Sequence, residues 1–305
     1  MTVMIEAFVR ALRCPADEVG LYPDEPMSRH TSFRIGGPAD VLVSPKSERA
    51  VCDTVHAARE AGLPLTVLGN GSNVLVRDEG IRGVVLCIGS DYADIHTEGT
   101  CLTAQTGALL SVLSNEAQQA GLSGLEFAGG IPGSLGGALF MNAGAYDGQM
   151  ADVVVRSRYY DAQADAVRTL TGEAHGFGYR TSVFRGHADW IALSAELQLK
   201  PGNPDEIRAK MDDFAQRRRD KQPLNYPSAG STFKRPAGYF AGKLIQDAGL
   251  MGYTVGGAQV SEKHAGFVIN RGGATCADVL AVMNHVQEEV LRQFGVRLEA
   301  EVRVL

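Results

Sequence analysis

The chain has 305 residues, of which 45% are hydrophobic and 21% charged, which is typical of globular proteins and allows two or three domains. Its 29 Lys and Arg against 35 Asp and Glu give a net charge of −6 and no basic excess for a nucleic-acid backbone. Composition therefore excludes a disordered or fibrous protein and argues against nucleic acid as a partner.

The N-terminal segment MTVMIEAFVRALRCPADEVG is predicted to form a short amphipathic helix, because charged residues interrupt its apolar stretch. No run approaches the roughly eighteen uncharged apolar residues of a membrane-spanning helix. We therefore expect a soluble, cytoplasmic protein that does not bind membranes. The five cysteines are scattered and never spaced Cys-x-x-Cys, so we expect reduced structural thiols, no disulfide framework and no metal site.

The first part of the chain alternates strands and helices. Short valine- and leucine-rich runs predict strands at 39–43 and 65–68, and the helix between them, 47–61, has Ser47 as its N-cap. These three elements form a predicted β-α-β unit. Closely spaced short strands follow at 74–76, 84–88, 94–97 and 101–105, and a helix is predicted at 109–120.

The second part begins after a glycine-rich centre, 129–148. Strands at 153–161, 166–170 and 191–199 indicate a mixed α+β domain, and a charged helix, 205–221, follows. A proline- and glycine-dense segment, 222–238, marks the boundary of a separate C-terminal domain, with helices at 241–248 and 276–294 and strands near 258–260 and 266–269.

The last ten residues alternate in character and predict a strand over 296–305. One face is apolar and carries Val296, Leu298, Ala300, Val302 and Val304. The other face carries Glu299, Glu301 and Arg303.

Two small-residue loops could hold a ligand. G-N-G-S-N (69–73) follows a strand and offers backbone N–H groups to an anion, although such a sequence can also be only a tight turn. G-G-I-P-G-S-L-G-G (129–137) leads into a helix, with Pro132 expected in its first turn, and a helix N-terminus can hold a diphosphate. Its glycines could also serve close packing of helix on sheet. Together the loops suit a long ligand with a central diphosphate, and FAD fits better than a mononucleotide.

Three side chains could carry chemistry, and each has a plainer alternative. Arg180 stays protonated and could stabilise a developing oxyanion, or could bond loop carbonyls. Ser231 could donate a proton to carbon, or could cap a turn. Glu301 could act beside them, or could lie on a solvated strand face. No G-x-S-x-G surrounds Ser231, which disfavours a nucleophilic serine.

Six segments, in order across essentially the whole chain, closely resemble the enolpyruvyl-sugar reductase family of peptidoglycan synthesis. They are T-S-F-R-I-G-G-P-A-D (31–40), G-N-G-S-N (69–73), A-G-G-I-P-G-S-L-G-G-A-L-F-M-N-A-G-A-Y (128–146), G-Y-R-T-S-V-F (178–184), G-S-T-F-K-R-P (230–236) and L-E-A-E-V-R (298–303).

The resemblance implies an α+β fold: a two-lobed FAD-binding domain of the vanillyl-alcohol-oxidase (PCMH) type and a C-terminal α+β substrate domain. The first lobe would span 1–66 and be joined by 302–305, the second lobe would span 67–200, and the substrate domain 201–301. A family form with a tyrosine-bearing loop after S-V-F differs from this chain, whose 185–190 segment is short and lacks tyrosine. We expect the shorter form, and a monomer.

The implied reaction is NADPH-dependent, FAD-mediated reduction of UDP-N-acetylenolpyruvylglucosamine to UDP-N-acetylmuramate. One pocket would take NADPH and then the UDP-sugar. Ser231 would protonate the α-carbon after hydride reaches the β-carbon, while Arg180 and Glu301 polarise the carboxylate. A cation beside the carboxylate is favoured more in the transition state than in the ground state.

The resemblance also assigns binding residues. The implied FAD contacts are Ser32, Arg34, Ile35, Gly36, Gly69, Asn70, Gly71, Ser72, Asn73, Gly129, Gly130, Pro132, Gly133, Ser134, Gly136, Gly137 and Asn142. Lys221 and Arg235 would meet the substrate phosphates, and no residue is assigned to a metal.

Two alternatives stay open at this point. Another FAD oxidoreductase on the same scaffold, such as a sugar-lactone or hydroxy-acid oxidase, would share the glycine loops but lack G-S-T-F-K-R-P and Glu301. A non-catalytic nucleotide-binding protein would purify without flavin.

Overall fold

The protein is described by a computed structural model that covers residues 3–305. This part of the chain contains the helices α1 (Val3–Ala11), α2 (Glu48–Glu60), α3 (Leu110–Gln119), α4 (Leu135–Met141), α5 (Pro204–Lys221), α6 (Ala241–Asp247) and α7 (Cys276–Phe294). The first strands are β1 (Val19–Pro26), β2 (Pro38–Pro45), β3 (Leu65–Leu68), β4 (Val74–Leu75), β5 (Ile81–Cys87), β6 (Ile95–Glu98), β7 (Cys101–Gln105), β8 (Leu122–Ser123) and β9 (Gly144–Ala145). The remaining strands are β10 (Gly148–Gln149), β11 (Val154–Asp161), β12 (Ala166–Thr171), β13 (Trp190–Gln198), β14 (Lys200–Pro201), β15 (Thr254–Val255), β16 (Ala258–Val260), β17 (Val268–Asn270) and β18 (Arg303–Val304).

Three sheets carry most of these strands, which confirms the α+β prediction. Their orders are β1-β2-β5-β3, β12-β11-β13-β7-β6 and β15-β16-β17. The five-stranded sheet is antiparallel throughout, whereas β3 and β5 run parallel. The predicted β-α-β elements are present as β2, α2 and β3, but β5 lies between the two strands.

The chain forms two compact units. The first consists of residues 3–23, Asp40–Asn70 and Gly83–Arg217. The second consists of Asp24–Ala39, Gly71–Arg82 and Arg218–Leu305. The finer division into 1–66 with 302–305, 67–200 and 201–301 stays a prediction.

The core of the first unit lies on one face of the five-stranded sheet. Fully buried leucines of α3 and α4 pack with Leu102 of β7 and Leu197 of β13. Each buried leucine contributes about 1.5–3 kcal/mol relative to exposure. A separate cluster holds α1 through Ile5 and Phe8, which pack with Val41 and Ala57. The predicted N-cap of α2 is confirmed, because Ser47 Oγ accepts the Ala50 N–H at 3.0 Å.

The core of the second unit is built on α7. Its valines 279, 282, 286 and 290 recur at helical spacing and are fully buried, as expected for one apolar stripe. Thr275 and Asp278 form a reciprocal capping box at its N-terminus. The Asp78 carboxylate accepts two further N–H groups there, from Cys276 at 2.8 Å and Ala277 at 3.0 Å.

The predicted C-terminal strand over 296–305 is wrong in extent, since only Arg303–Val304 is a strand, paired parallel with β4. Residues 299–301 instead bond to residues 232–234: the Lys234 N–H donates to the Glu299 carbonyl at 2.9 Å. The chain then changes partner, with the Arg303 N–H donating to the Asn73 carbonyl at 3.1 Å. This change breaks the period-two alternation, so Glu301 and Val302 are both buried and Ala300 is exposed.

Candidate functional site

The start of the 69–73 loop meets the 129–137 loop in the first unit. Gly69 and Asn70 follow β3, and the Asn70 side-chain amide donates to the Pro132 carbonyl at 2.6 Å. Pro132 was expected in the first turn of a helix, but α4 begins only at Leu135, with Ser134 at its N-cap position. The structure therefore places Pro132 in the loop that contacts Asn70.

Ser134 is the clearest sign of a ligand at these loops. It is 2% exposed, and within residues 3–305 its hydroxyl oxygen is buried without a hydrogen-bond partner. A methyl group added at Gly69 would collide with this oxygen. A buried unpaired hydroxyl costs about 1–3 kcal/mol, which a ligand oxygen at this place would recover. Glycine at position 69 thus lets the first loop approach Ser134 closely, and the unpaired hydroxyl fits a phosphate-bearing cofactor.

Two glycines of the 129–137 loop also allow close packing, whether or not they contact a ligand. A Cβ at Gly129 would lie 3.1 Å from Ser114 Oγ, and one at Gly136 would lie 3.1 Å from Thr106 Cβ. Both glycines permit close packing within the first unit. A Cβ at Gly137 would meet nothing within 4 Å. The packing interpretation thus holds for Gly129 and Gly136, and the ligand interpretation has room at Gly137.

The second unit holds the predicted cofactor residues Ser32, Arg34, Ile35, Gly36, Gly71, Ser72 and Asn73, whereas Asn142 lies in the first unit. The Ser32 N–H donates to the Gly71 carbonyl at 3.1 Å, so the 32–36 segment and Gly71 do come together. Gly71 has φ +60°, and a Cβ there would run into the His30 carbonyl oxygen. Arg34 also has a left-handed backbone, with φ 56°. The structure thus holds this segment in a conformation that few residues adopt.

Arg180 lies in the first unit, at the tip of a tight turn. Gly178 and Thr181 exchange backbone hydrogen bonds of 3.0 and 3.3 Å around the turn. Arg180 has φ 56°, and its carbonyl accepts a hydrogen bond of 3.0 Å from the Arg185 guanidinium. Its side chain is half-buried.

Ser231 and Glu301 lie in the second unit and are brought side by side through their backbones. The Glu301 N–H donates to the carbonyl of Thr232, the residue after Ser231, at 2.9 Å. The Asn73 amide donates to the Glu301 carbonyl at 3.3 Å. Glu301 is only 9% exposed, so the solvated-face alternative for this carboxylate is wrong.

Lys221 and Arg235 are both exposed residues of the second unit. Lys221 is the last residue of α5, and the Arg235 guanidinium lies 4.0 Å from the centre of the Phe240 ring. A cation over an aromatic face is attracted to it. Neither position on its own identifies a ligand.

Three side chains near the predicted residues were not found by sequence reasoning. Ser182 is buried and its hydroxyl donates to the Phe140 carbonyl at 3.0 Å. Ser228 accepts, through its carbonyl, the Ser32 hydroxyl at 2.7 Å. Ser182 lies inside the 178–184 motif and Ser228 just before the 230–236 motif, so the motifs indicated these regions but assigned no function to either serine. His175, fully buried next to the Arg180 segment, gave no signal.

Residues 3–305 offer neither a cluster of metal ligands nor a membrane-spanning helix. No group of three or more His, Cys, Asp and Glu side chains there could hold a metal ion. None of the helices in this range combines the length and apolar character that crossing a membrane requires. All five cysteines are free.

Comparison with known proteins identifies both halves of the chain. Residues 222–305 match the model of the C-terminal domain of UDP-N-acetylenolpyruvoylglucosamine reductase, and residues 39–170 match a model of an FAD binding domain. A Clostridium perfringens (strain SM101 / Type A) protein named UDP-N-acetylenolpyruvoylglucosamine reductase is 53% identical over 95% of this chain and 94% of its own length. A protein of that name from Clostridioides difficile (strain 630) is 52% identical over 92% of each chain.

A solved structure agrees with these relatives. The crystal structure of the reductase of that name from Thermus caldophilus superposes with a TM-score of 0.80 at 35% sequence identity. The match covers 94% of this chain and 98% of the other. The similarity therefore extends over nearly the full length of both proteins.

Proposed function

Because this chain belongs to the UDP-N-acetylenolpyruvoylglucosamine reductase family, we propose that Arg180, Ser231 and Glu301 are its catalytic residues in the reduction of that UDP-sugar. The protein is an FAD-dependent oxidoreductase with NADPH as its reductant, acting in peptidoglycan precursor synthesis. The observation that carries this function is the near-full-length similarity to reductases of one name, across both the FAD-binding and the C-terminal segments.

The residues of the two loops fit FAD, which supplies hydride transfer from NADPH to the substrate. Ser134 supports this proposal most directly, because its buried hydroxyl has a donor to offer where the two loops meet. Backbone N–H groups of 69–73 and 129–137 are proposed to bind the diphosphate, and Ser32, Arg34, Ile35 and Gly36 are also proposed to bind FAD. These contacts are proposals from the family resemblance and from the geometry of each unit.

Arg180 is proposed to bind the substrate carboxylate. Reduction places negative charge on that carboxylate as hydride arrives at the β-carbon. A guanidinium stays protonated at all relevant pH values and donates two parallel hydrogen bonds to a carboxylate. Its interaction strengthens as the charge develops, which lowers the barrier rather than only tightening binding.

Ser231 is proposed to complete the reaction by giving its proton to the α-carbon. The substrate double bond then becomes a single bond, having gained one hydride and one proton. Serine is a weak acid, so it needs a strongly basic carbanion and a nearby charge that stabilises the resulting alkoxide before water restores the proton. Glu301 is proposed to act on the carboxylate, and its backbone bond to Thr232 supports a shared location with Ser231.

Lys221 and Arg235 are proposed to meet the substrate phosphates, where cations would offset the negative charge. We further propose that the protein works as a cytoplasmic monomer. Both proposals rest on the family resemblance.

The function is tested by recording the visible spectrum of the purified protein and then adding NADPH and the UDP-enolpyruvyl sugar anaerobically. We expect flavin bleaching with NADPH and recovery with the sugar. Bleaching without recovery would reject the substrate and keep the flavoprotein. Absence of flavin in the purified, FAD-supplemented protein would favour a non-catalytic nucleotide-binding protein.

A further inference from the structure

The Arg180 turn is held against the C-terminal end of α4 by two side chains. The Asn142 amide nitrogen donates to the Gly178 carbonyl at 3.1 Å, on the entering side of the turn. The Ser182 hydroxyl donates to the Phe140 carbonyl at 3.0 Å, on the leaving side. Both anchors lie in the first unit, and together they bracket the two residues at the tip.

The turn needs such anchors because Arg180 has φ 56°, in the left-handed region. A residue with a Cβ pays roughly 1–2 kcal/mol there, so the conformation persists only where the surroundings fix it. Without the anchors, the backbone of Arg180 would relax toward a right-handed or extended conformation. The guanidinium, at the end of a long side chain, would then move by several ångströms.

Every hydrogen-bonding group of the Asn142 side chain has a partner within the first unit. Its amide nitrogen donates to Gln149 Oε1 at 3.0 Å as well as to Gly178, and its Oδ1 accepts the Ala151 N–H at 2.9 Å. An amide offers two donors and one carbonyl oxygen, so each group is already in use. Asn142 also has φ 44° as the C-cap of α4, a conformation that asparagine tolerates better than most residues.

The anchors join two parts of the proposed machinery. The N-terminal end of α4 follows Ser134 and the predicted cofactor loop, and its C-terminal end holds the Arg180 turn. The seven residues of α4 form a rigid connector of about 10 Å. A fixed distance between the cofactor loop and the arginine is what aligning a carboxylate for hydride transfer requires.

We propose that Asn142 and Ser182 are positioning residues that hold the Arg180 turn in its left-handed conformation at the end of α4. This gives Asn142 a role other than the cofactor contact implied by resemblance. The inference rests on the proposed role of Arg180 in binding the substrate carboxylate.

The test separates the two half-reactions of the FAD-loaded enzyme by stopped-flow absorbance. Asn142→Asp keeps the size, the left-handed tolerance and the acceptor for Ala151, but replaces the donor to Gly178 with an acceptor. Asn142→Gly removes the side chain while keeping the backbone conformation accessible. We expect reduction by NADPH within about 2-fold of wild type and reoxidation by the UDP-enolpyruvyl sugar slowed about 10- to 100-fold in both variants.

Three further comparisons exclude a merely structural effect. Gln149→Ala removes the other partner of the Asn142 amide, together with the bonds of the Gln149 side chain to Asp152, and should leave both half-reactions unchanged. Ser182→Ala should slow reoxidation, and Ser182→Thr, which keeps the hydroxyl, should restore it. In an Arg180→Ala background, Asn142→Gly should cause no additional slowing, because it acts through the arginine.

Equal slowing of both half-reactions, loss of flavin, or full additivity with Arg180→Ala would overturn the inference. A failure of the proposed function appears elsewhere: wild type would not be reoxidised by the sugar, or Arg180→Ala would be reoxidised at the wild-type rate. The two failures are therefore distinguishable.

Discussion

The backbone N–H of Glu301 donates to the carbonyl oxygen of Thr232 at 2.9 Å. Glu301, whose side chain is buried, is thereby bonded to the residue that directly follows Ser231. These residues are far apart in sequence, and the pairing of 299–301 with 232–234 joins them within the second unit. Two candidate catalytic side chains thus depend on one short stretch of backbone pairing.

Ser231→Ala should separate the half-reactions. Flavin reduction by NADPH needs no proton from the serine, so we expect it to stay close to wild type. Reoxidation by the UDP-sugar should slow by about 10²–10⁴-fold, the usual contribution of a general acid. Stopped-flow absorbance measures both rates, and equal slowing of the two would remove Ser231 from the proton-transfer step.

Glu301→Gln should keep the fold and the flavin but lose most turnover, because the change preserves the shape of a buried side chain and removes its charge. The matched control is Glu299→Gln, two residues away, whose side chain is 71% exposed and pairs with Lys234. The control should retain wild-type turnover, since exposed ion pairs contribute little. Wild-type turnover in Glu301→Gln would return Glu301 to a structural role.

Gly69→Ala should weaken FAD binding, because a Cβ there would collide with Ser134 Oγ and displace the hydroxyl that is proposed to bind the cofactor. The fraction of protein that retains flavin through gel filtration reports the effect, and we expect most flavin to be lost. Gly89→Ala is the control, because a Cβ there meets nothing within 4 Å. Full flavin retention in Gly69→Ala would show that no cofactor group lies against this glycine.

Ser134→Ala should lower the affinity for FAD without lowering the stability of the apoprotein. Removing a buried hydroxyl without a partner should leave the free energy of unfolding of the apoprotein unchanged or raise it by about 1 kcal/mol. FAD affinity should fall, because the hydroxyl is the group proposed to bind the cofactor. Denaturant unfolding and flavin titration measure the two quantities, and an unstable apoprotein with unchanged affinity would contradict the assignment.

His175 should make the protein less stable in mild acid. Burial lowers its pKa below 6.5, with an opposing effect from its bond to the Gly172 carbonyl. The unfolded state therefore binds a proton more readily, and stability is lost as pH falls below 6.5. Burial lowers the pKa of His264 in the same direction.

The measurement is denaturant unfolding between pH 7.5 and pH 5 for wild type and His175→Gln. We expect the variant to show a smaller loss of unfolding free energy over this range, with the remainder due to His264. Identical pH slopes would show that His175 does not titrate in folding.

Local patterns predicted most elements because the signals were local. Leu65–Leu68, Cys101–Gln105, Ala258–Val260 and Cys276–Phe294 have the predicted bounds, since apolar periodicity and bounding turn residues determine them. The last ten residues failed because their burial depends on two distant partners, Thr232 and Asn73. No pattern within the segment records a change of partner.

The sequence predicted candidate residues of the site but not the hydrogen bonds that join them. Gly69 and Ser134 could be named from small-residue loops, and Arg180 from its motif. The bond from Asn142 to Gly178 spans 36 residues and uses an ordinary amide, so the sequence carries no sign of it. The burial of Glu301 likewise appears only once the chain has folded.

Strand β4 pairs in parallel with β18, so this pairing cannot form until the last residues of the chain have been synthesised. Strand β4 emerges from the ribosome roughly 230 residues before Arg303–Val304, a delay of about 10–45 s at 5–20 residues per second. During that interval Leu75 and Phe33, both buried in the finished second unit, have no core to enter. These two apolar side chains therefore stay outside a completed core until the last residues of the chain have been synthesised.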